Sequence, residues 1–104
     1  MMNYIYEDYR IYVVDDQEKV IVNATFPLIK HGVVNVDHTY VDPSLRGQGI
    51  ASQLMHEVVK HAKEKGYKMV ATCPYAVVWF KKHKEERTIL DEATQATLAP
   101  ECLI

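Results

Sequence analysis

The sequence predicts an α+β fold, layered helix against sheet, in which an antiparallel meander leads into a strand–helix–strand crossover and a closing helix. Three observations carry that expectation. Valine-rich segments with period-two alternation precede Val41, apolar side chains recur at Ile50, Leu54, Val58 and Ala62 with helical spacing, and a further apolar run follows Gly66.

The first strand reads as Tyr9-Arg10-Ile11-Tyr12-Val13-Val14, closed by the polar turn Asp15-Asp16-Gln17-Glu18. A second strand runs from about Lys19 to Phe26, where Pro27 stops it because proline cannot donate to a ladder. Leu28 to Gly32 is a connection, and the third strand is expected in one piece from Gly32 to Val41. A helix occupies roughly Gln48 to Lys65; Gly66 terminates it, after Lys63 and Lys65 in the last turn. Tyr67–Cys73 is the fourth strand, parallel to the third through the crossover. Pro74 opens a second helix, since proline suits a first helical position and holds Cys73 extended before it. The run Tyr75–Phe80 is nearly all apolar and reads as core, while the residues after about Arg87 predict no element.

With 104 residues the chain is expected to form one domain, residues 1–104. Twelve basic against 14 acidic residues leave a net charge of −2, which argues against nucleic acid or an anionic membrane surface as partner. No apolar run approaches the roughly 20 residues that cross a bilayer. Met1–Asp8 lacks the basic and apolar regions of a secretion signal, so the expected location is the cytoplasm. Cys73 and Cys102 make neither a disulfide framework nor a zinc site, and the five histidines are scattered. Strand edges in so small a sheet predict a monomer or a weak homodimer.

Chemistry concentrates in Val41-Asp42-Pro43-Ser44-Leu45-Arg46-Gly47-Gln48-Gly49-Ile50-Ala51, which ends a strand, turns through two glycines and opens a helix. Glycine permits the sharp turn and a close approach of backbone to ligand, and the unpaired N–H groups of a helix's first turn attract an anion. Backbone N–H groups from Gly47, Gln48, Gly49, Ile50 and Ala51, with side-chain donors from Arg46 and Ser52, are therefore expected to hold phosphate. Asp42 and Pro43 read as structural, the proline ending the strand and the aspartate satisfying local donors. The loop is neither a dinucleotide fingerprint, which needs a third glycine in register, nor an NTPase loop, which needs Gly-Lys-Ser/Thr.

Arg46-x-x-Gly49-x-Ala51 after Val41-Asp42-Pro43 resembles the coenzyme A pyrophosphate motif of the GNAT acetyltransferase superfamily. His38-Thr39-Tyr40-Val41 and Thr72-Cys73-Pro74-Tyr75-Ala76 extend the likeness to its small single-domain subfamily, over about Tyr9 to His83. The resemblance implies a truncated GNAT core that binds acetyl-CoA, with His38 and Cys73 as the suspected catalytic pair. It also implies that pantetheine lies where two central strands splay, with Thr39, Tyr40 and Val41 offering backbone groups and Tyr75 nearby. Larger members carry Asn-x-x-Ala-x-x-Leu-Tyr after this strand; aligning Ala76 with that alanine puts Phe80 at the tyrosine that is thought to protonate the departing thiolate. Phenylalanine has no proton to give, which leaves Tyr75 or Cys73 as the acid.

Two readings remain open at each catalytic candidate. Cys73, before a helix N-terminus, is either an activated thiol or a small buried hydrophobe. His38, expected on one strand face with Val34, Val36 and Tyr40, is either a proton acceptor or a core histidine bonded to backbone. Lys81, Lys82 and Lys84 suit the adenosine 3′-phosphate or simply form a solvated helix face. The expected function is acetyl-CoA-dependent transfer to a primary amine of unknown identity, with a non-catalytic acyl-CoA-binding module as the alternative.

Overall fold

The computed structural model describes residues 2–98 and 100–104. Its strands are β1 (Ile5–Glu7), β2 (Arg10–Val14), β3 (Val20–Thr25), β4 (Leu28–Lys30), β5 (Val33–Val36), β6 (His38–Val41) and β7 (Lys68–Ala71). The helices are α1 (Ile50–Lys65), α2 (Pro74–Lys82) and the single-turn α3 (Glu92–Gln95). One sheet is antiparallel in the order β1-β2-β3-β6; the other runs β4-β5-β7, with β5 and β7 parallel.

A continuous core joins the two sheets to the helices. Ile11, Val22 and Ala24 of the first sheet and Val34, Val36, Met69 and Ala71 of the second pack on Leu54, Val58 and Ala62 of α1 and Ala76 and Phe80 of α2. Each side chain of Leu or Phe size withdrawn from water here contributes about 2 kcal/mol. The stripe Ile50, Leu54, Val58 and Ala62 is buried as its spacing predicts. Gly66 ends α1 at φ 77°, with its own N–H on Lys63 O and the Tyr67 N–H on Ala62 O, a Schellman closure. No helix among the described residues is long and apolar enough to cross a membrane.

The expected third strand is two strands. At Asp37 the chain leaves β7's sheet and joins β3's, so that β5 pairs with β7 and β6 with β3. Asp37 is exposed; its N–H reaches Thr25 O at 3.3 Å and its carboxylate accepts from Thr25 Oγ1 at 2.5 Å. The interruption inverts the faces by one residue, because side chains alternate with period two. Val34 and Val36 point into the core, and beyond the break the core face carries Thr39 and Val41, opposite buried Ala24 and Val22. His38 therefore does not share a face with Val34 and Val36: it sits opposite Thr25, exposed to solvent.

Two further departures are local. The Leu28–Gly32 connection contains the edge strand β4, and a three-residue β1 precedes the first predicted strand, its Tyr6 ring lying 5.8 Å from that of His61 on α1. Exposed along their whole length, neither strand shows the alternation that marks a half-buried one. The C-terminal residues also have a definite course. After a 3-10 stretch, Lys84–Ile89, Leu90 bridges Met69 in parallel, and α3 brings Gln95 against the open edge of β7. The Ala71 N–H donates to Gln95 Oε1 at 2.8 Å, and Gln95 Nε2 donates to Ala71 O at 3.0 Å and to Cys102 O. One side-chain amide thus does the work of a neighbouring strand.

Candidate functional site

The site begins at the end of β6. The Asp42 carboxylate accepts from the Ser44 N–H at 3.0 Å and Ser44 Oγ at 2.8 Å, capping a single 3-10 turn, Pro43–Leu45, and Lys19 Nζ lies 3.2 Å from its other oxygen. These bonds, the Ser44 N–H first, hold the carboxyl down to about 2 from an ordinary 3.8. A depressed acid stabilises the fold above its unfolded value and ceases to do so as pH falls through its folded value. The stability gap between wild type and Asp42→Asn, read from urea midpoints, is accordingly expected to be full above about pH 4 and to close by about pH 2.

The chain then turns through Gly47 at φ 82° and Gly49 at φ 75°, both left-handed and therefore costly for any residue with a Cβ. Gly49 is the N-cap of α1 and brings no side chain to cap it, and the first turn holds no acidic residue. The N–H groups of Ile50, Ala51 and Ser52 thus open the helix with neither an intrahelical partner nor a competing carboxylate. Arg46 is exposed and lines the turn, its Nε donating to Val41 O at 3.1 Å.

Beside this turn the two sheets part. Thr72 and Cys73 both donate their N–H groups to Val36 O, at 3.1 and 3.0 Å, which ends the β5–β7 ladder while β6 continues along β3. The Asp42 N–H bonds Ile21 O at 2.8 Å; counting back by two along the antiparallel ladder turns the backbone groups of Tyr40 and His38 toward β3 and those of Val41 and Thr39 into the gap. Of the three residues expected to offer backbone groups there, Thr39 is the one fully turned to it; the Val41 carbonyl serves Arg46, and Tyr40's groups belong to the β3 ladder. Across the gap the Thr39 hydroxyl meets Cys73 Sγ at 3.3 Å. Cys73 is buried, capping α2 from an extended conformation.

A cavity of about 140 Å³ lies at the turn, walled by Val41 at the end of β6, Arg46, Gly47 and Gly49 on the turn, Ile50, Ala51 and Ser52 on α1, and Tyr75 on α2; Thr39, Tyr40 and Cys73 are not among its walls. Leu45 completes the wall; it is the one lining residue that the sequence reading did not single out. Ligand pockets for whole cofactors run to about 300–1,000 Å³, so this hollow suits an anionic group with the rest of its molecule along the open surface. Burial, then the neighbouring Cys73, raises the Tyr75 hydroxyl above its ordinary 10.0, which keeps its proton in place. Gln48 faces away, toward a wider hollow shared with Tyr4 and Gln53. Ser52 Oγ accepts the indole N–H of buried Trp79 at 2.9 Å, a link with no signal in the sequence because 27 positions separate the two.

His38 is not brought to Cys73: it is exposed on the sheet face opposite Thr39. Lys81, Lys82 and Lys84 are exposed, the first two in the last turn of α2, where they complement its dipole. Phe80 is fully buried in the core.

A glycine turn with free helix N–H groups, set beside a sheet split at one carbonyl, is a specific combination, and comparison with known proteins places it. The sequence model of the GCN5-related N-acetyltransferase family matches residues 8–89. The chain belongs to this family. Among solved structures of the family's fold, a GCN5-like N-acetyltransferase candidate from Staphylococcus aureus superposes with a TM-score of 0.72 at 27% identity, over 86% of this chain and 87% of that one. An acetyltransferase from Bacillus cereus matches at 0.57 and 27% identity, over 79% of this chain and 57% of its own. A GNAT family N-acetyltransferase from Escherichia coli, solved in complex with CoA, matches at 0.53 and 29%, over 60% of this chain and 38% of its own. No curated protein matches. This GNAT chain thus spans nearly the whole of the staphylococcal protein and about half or less of the larger two.

Proposed function

We propose that the protein is an acetyl-CoA-dependent N-acetyltransferase acting on a primary amine. The observation that carries this reading is the shared cavity: the Arg46–Ser52 turn supplies anion donors, and Tyr75 and the last residue of β6, Val41, reach the same hollow. The residues fit the cofactor's parts. A diphosphate suits the Arg46 guanidinium and the N–H groups of α1's first turn, and the amides of pantetheine suit the backbone groups that Thr39 turns into the gap.

When bound, acetyl-CoA supplies an activated acetyl group whose C–S bond breaks as the amine nitrogen forms its C–N bond. In this proposal the Thr39 N–H polarises the thioester carbonyl, and Tyr75, in place of the absent tyrosine at Phe80, gives its proton to the departing thiolate. Cys73 fixes the reacting end through its contact with Thr39. His38, exposed on the sheet face away from Thr39 and Cys73, stays outside this step, and the ammonium gives up its proton to solvent before attack.

Acetyl-CoA titrated into labelled protein is expected to move the amides of Arg46–Ser52 and Cys73, with free coenzyme A accumulating once an amine is added. Tyr75→Phe is expected to lower kcat by about a hundredfold. Cys73→Ala is expected to lower it by at least about tenfold through misplacement of the thioester. Neither change is expected to alter the dissociation constant for coenzyme A. Equal losses of binding and turnover would make these two residues binding elements instead. One observation favours a second reading, a non-catalytic module for acyl-CoA: Phe80 occupies the usual acid's place and is sealed in the core. Amide shifts with no turnover of any amine would establish that alternative.

A further inference from the structure

We infer that Trp79 is a positioning residue for the cofactor: its indole holds the Ser52 hydroxyl so that the hydroxyl proton faces the diphosphate of coenzyme A. The inference rests on the proposed cofactor and concerns how this chain completes its anion site.

The argument starts from hydrogen-bond inventory. An indole N–H is a donor only, so the 2.9 Å bond from Trp79 Nε1 engages a lone pair of Ser52 Oγ and leaves the hydroxyl proton needing an acceptor. A serine inside a helix commonly returns that proton to the carbonyl three or four residues back. Ser52 makes no such bond among the described residues; the Gly49 carbonyl instead accepts the Gln53 N–H at 3.1 Å. Ser52 also lines the same cavity as Arg46, Gly47 and Gly49, in the first turn of α1, where the outward side is the anion side.

The indole is well held for this task. Trp79 is 2% exposed, stacked on His83 at 4.2 Å and 15°, with the edges of His56 and Phe80 closing its sides at 5.0 and 5.2 Å. His83 Nδ1 lies 2.9 Å from the Trp79 carbonyl, which fixes that ring as well. The bond from Trp79 to Ser52 joins α2 to α1. A hydroxyl free to rotate would lose orientational freedom on binding; one already held by a buried indole has that loss behind it, and its bond to an anion keeps more of its strength.

Calorimetry on wild type, Ser52→Ala and Trp79→Phe with coenzyme A, dephospho-coenzyme A and pantetheine tests the assignment. Both variants are expected to lose about tenfold in affinity for the first two ligands, the worth of a hydrogen bond to a charged group. Pantetheine, which has no diphosphate, should bind all three proteins alike. Trp79 is the only tryptophan, so its indole N–H gives a single NMR resonance; it should shift with either diphosphate ligand in wild type and stay still in Ser52→Ala. The resonance and the Ser52→Ala affinities decide the matter even where Trp79→Phe is poorly folded. Equal coenzyme A affinity of wild type and Ser52→Ala, or equal losses for pantetheine, would overturn the assignment while leaving the proposed cofactor intact. A wild type that binds no coenzyme A would overturn both.

Discussion

Gln95→Leu is expected to lower the unfolding free energy by about 3–5 kcal/mol, since each buried polar group left without a partner costs about 1–3 kcal/mol. Leucine fills much of the glutamine's volume and removes only its polar end. The Ala71 N–H, the Ala71 carbonyl and the Cys102 carbonyl would then be left dry and unbonded at the edge of β7. Gln95 is 2% exposed, so water does not replace the amide without opening the C-terminal turn. Against a typical total of about 5–15 kcal/mol the loss is a large fraction. Urea unfolding is the measurement: the midpoint should fall with the slope unchanged, and a loss below about 1 kcal/mol would mean that the C-terminal residues leave β7 at little cost.

Gly49→Val is expected to weaken coenzyme A binding by on the order of a hundredfold, from two or more charge-assisted bonds disturbed together. At φ 75° a β-branched residue is strained even though a Cβ there would meet nothing within 4 Å. The obstacle is conformational, worth about 1–3 kcal/mol, and the turn relieves it by rotating away from the left-handed region. That rotation carries the first N–H groups of α1 out of the anion site. Stability should fall by no more than the strain itself, because Gly49 is exposed and packs against no core side chain. Wild-type affinity in this variant would refute the assignment of the turn as the diphosphate site.

Much of this protein was legible in its sequence, and the legible parts share a cause. The stripe on α1, the stop at Gly66, the proline opening α2 and the turn from Arg46 to Ser52 are each determined by residues within a few positions of one another. Helical period, proline's fixed φ and glycine's left-handed freedom act over that range. Val41, Arg46, Gly47, Gly49, Ile50, Ala51 and Ser52, neighbours in sequence, accordingly line one cavity.

What only the tertiary structure decided depends on distant partners. Gly32–Val41 reads as one valine-rich strand by sequence, yet the chain changes sheets at Asp37 because β7 ends its ladder on Val36 O while β3 continues past it; the change exposes His38 and turns Thr39 toward Cys73. Nothing local to Gln95 foretells that its amide will complete β7, 24 residues earlier, and nothing local to Trp79 that it will hold Ser52. The sequence determined by itself α1, α2, the first two strands of the meander and the glycine turn, where backbone preferences act on neighbours. The tertiary structure decided which side chains face the gap between the sheets, because a single switch of hydrogen-bonding partner reverses every face beyond it.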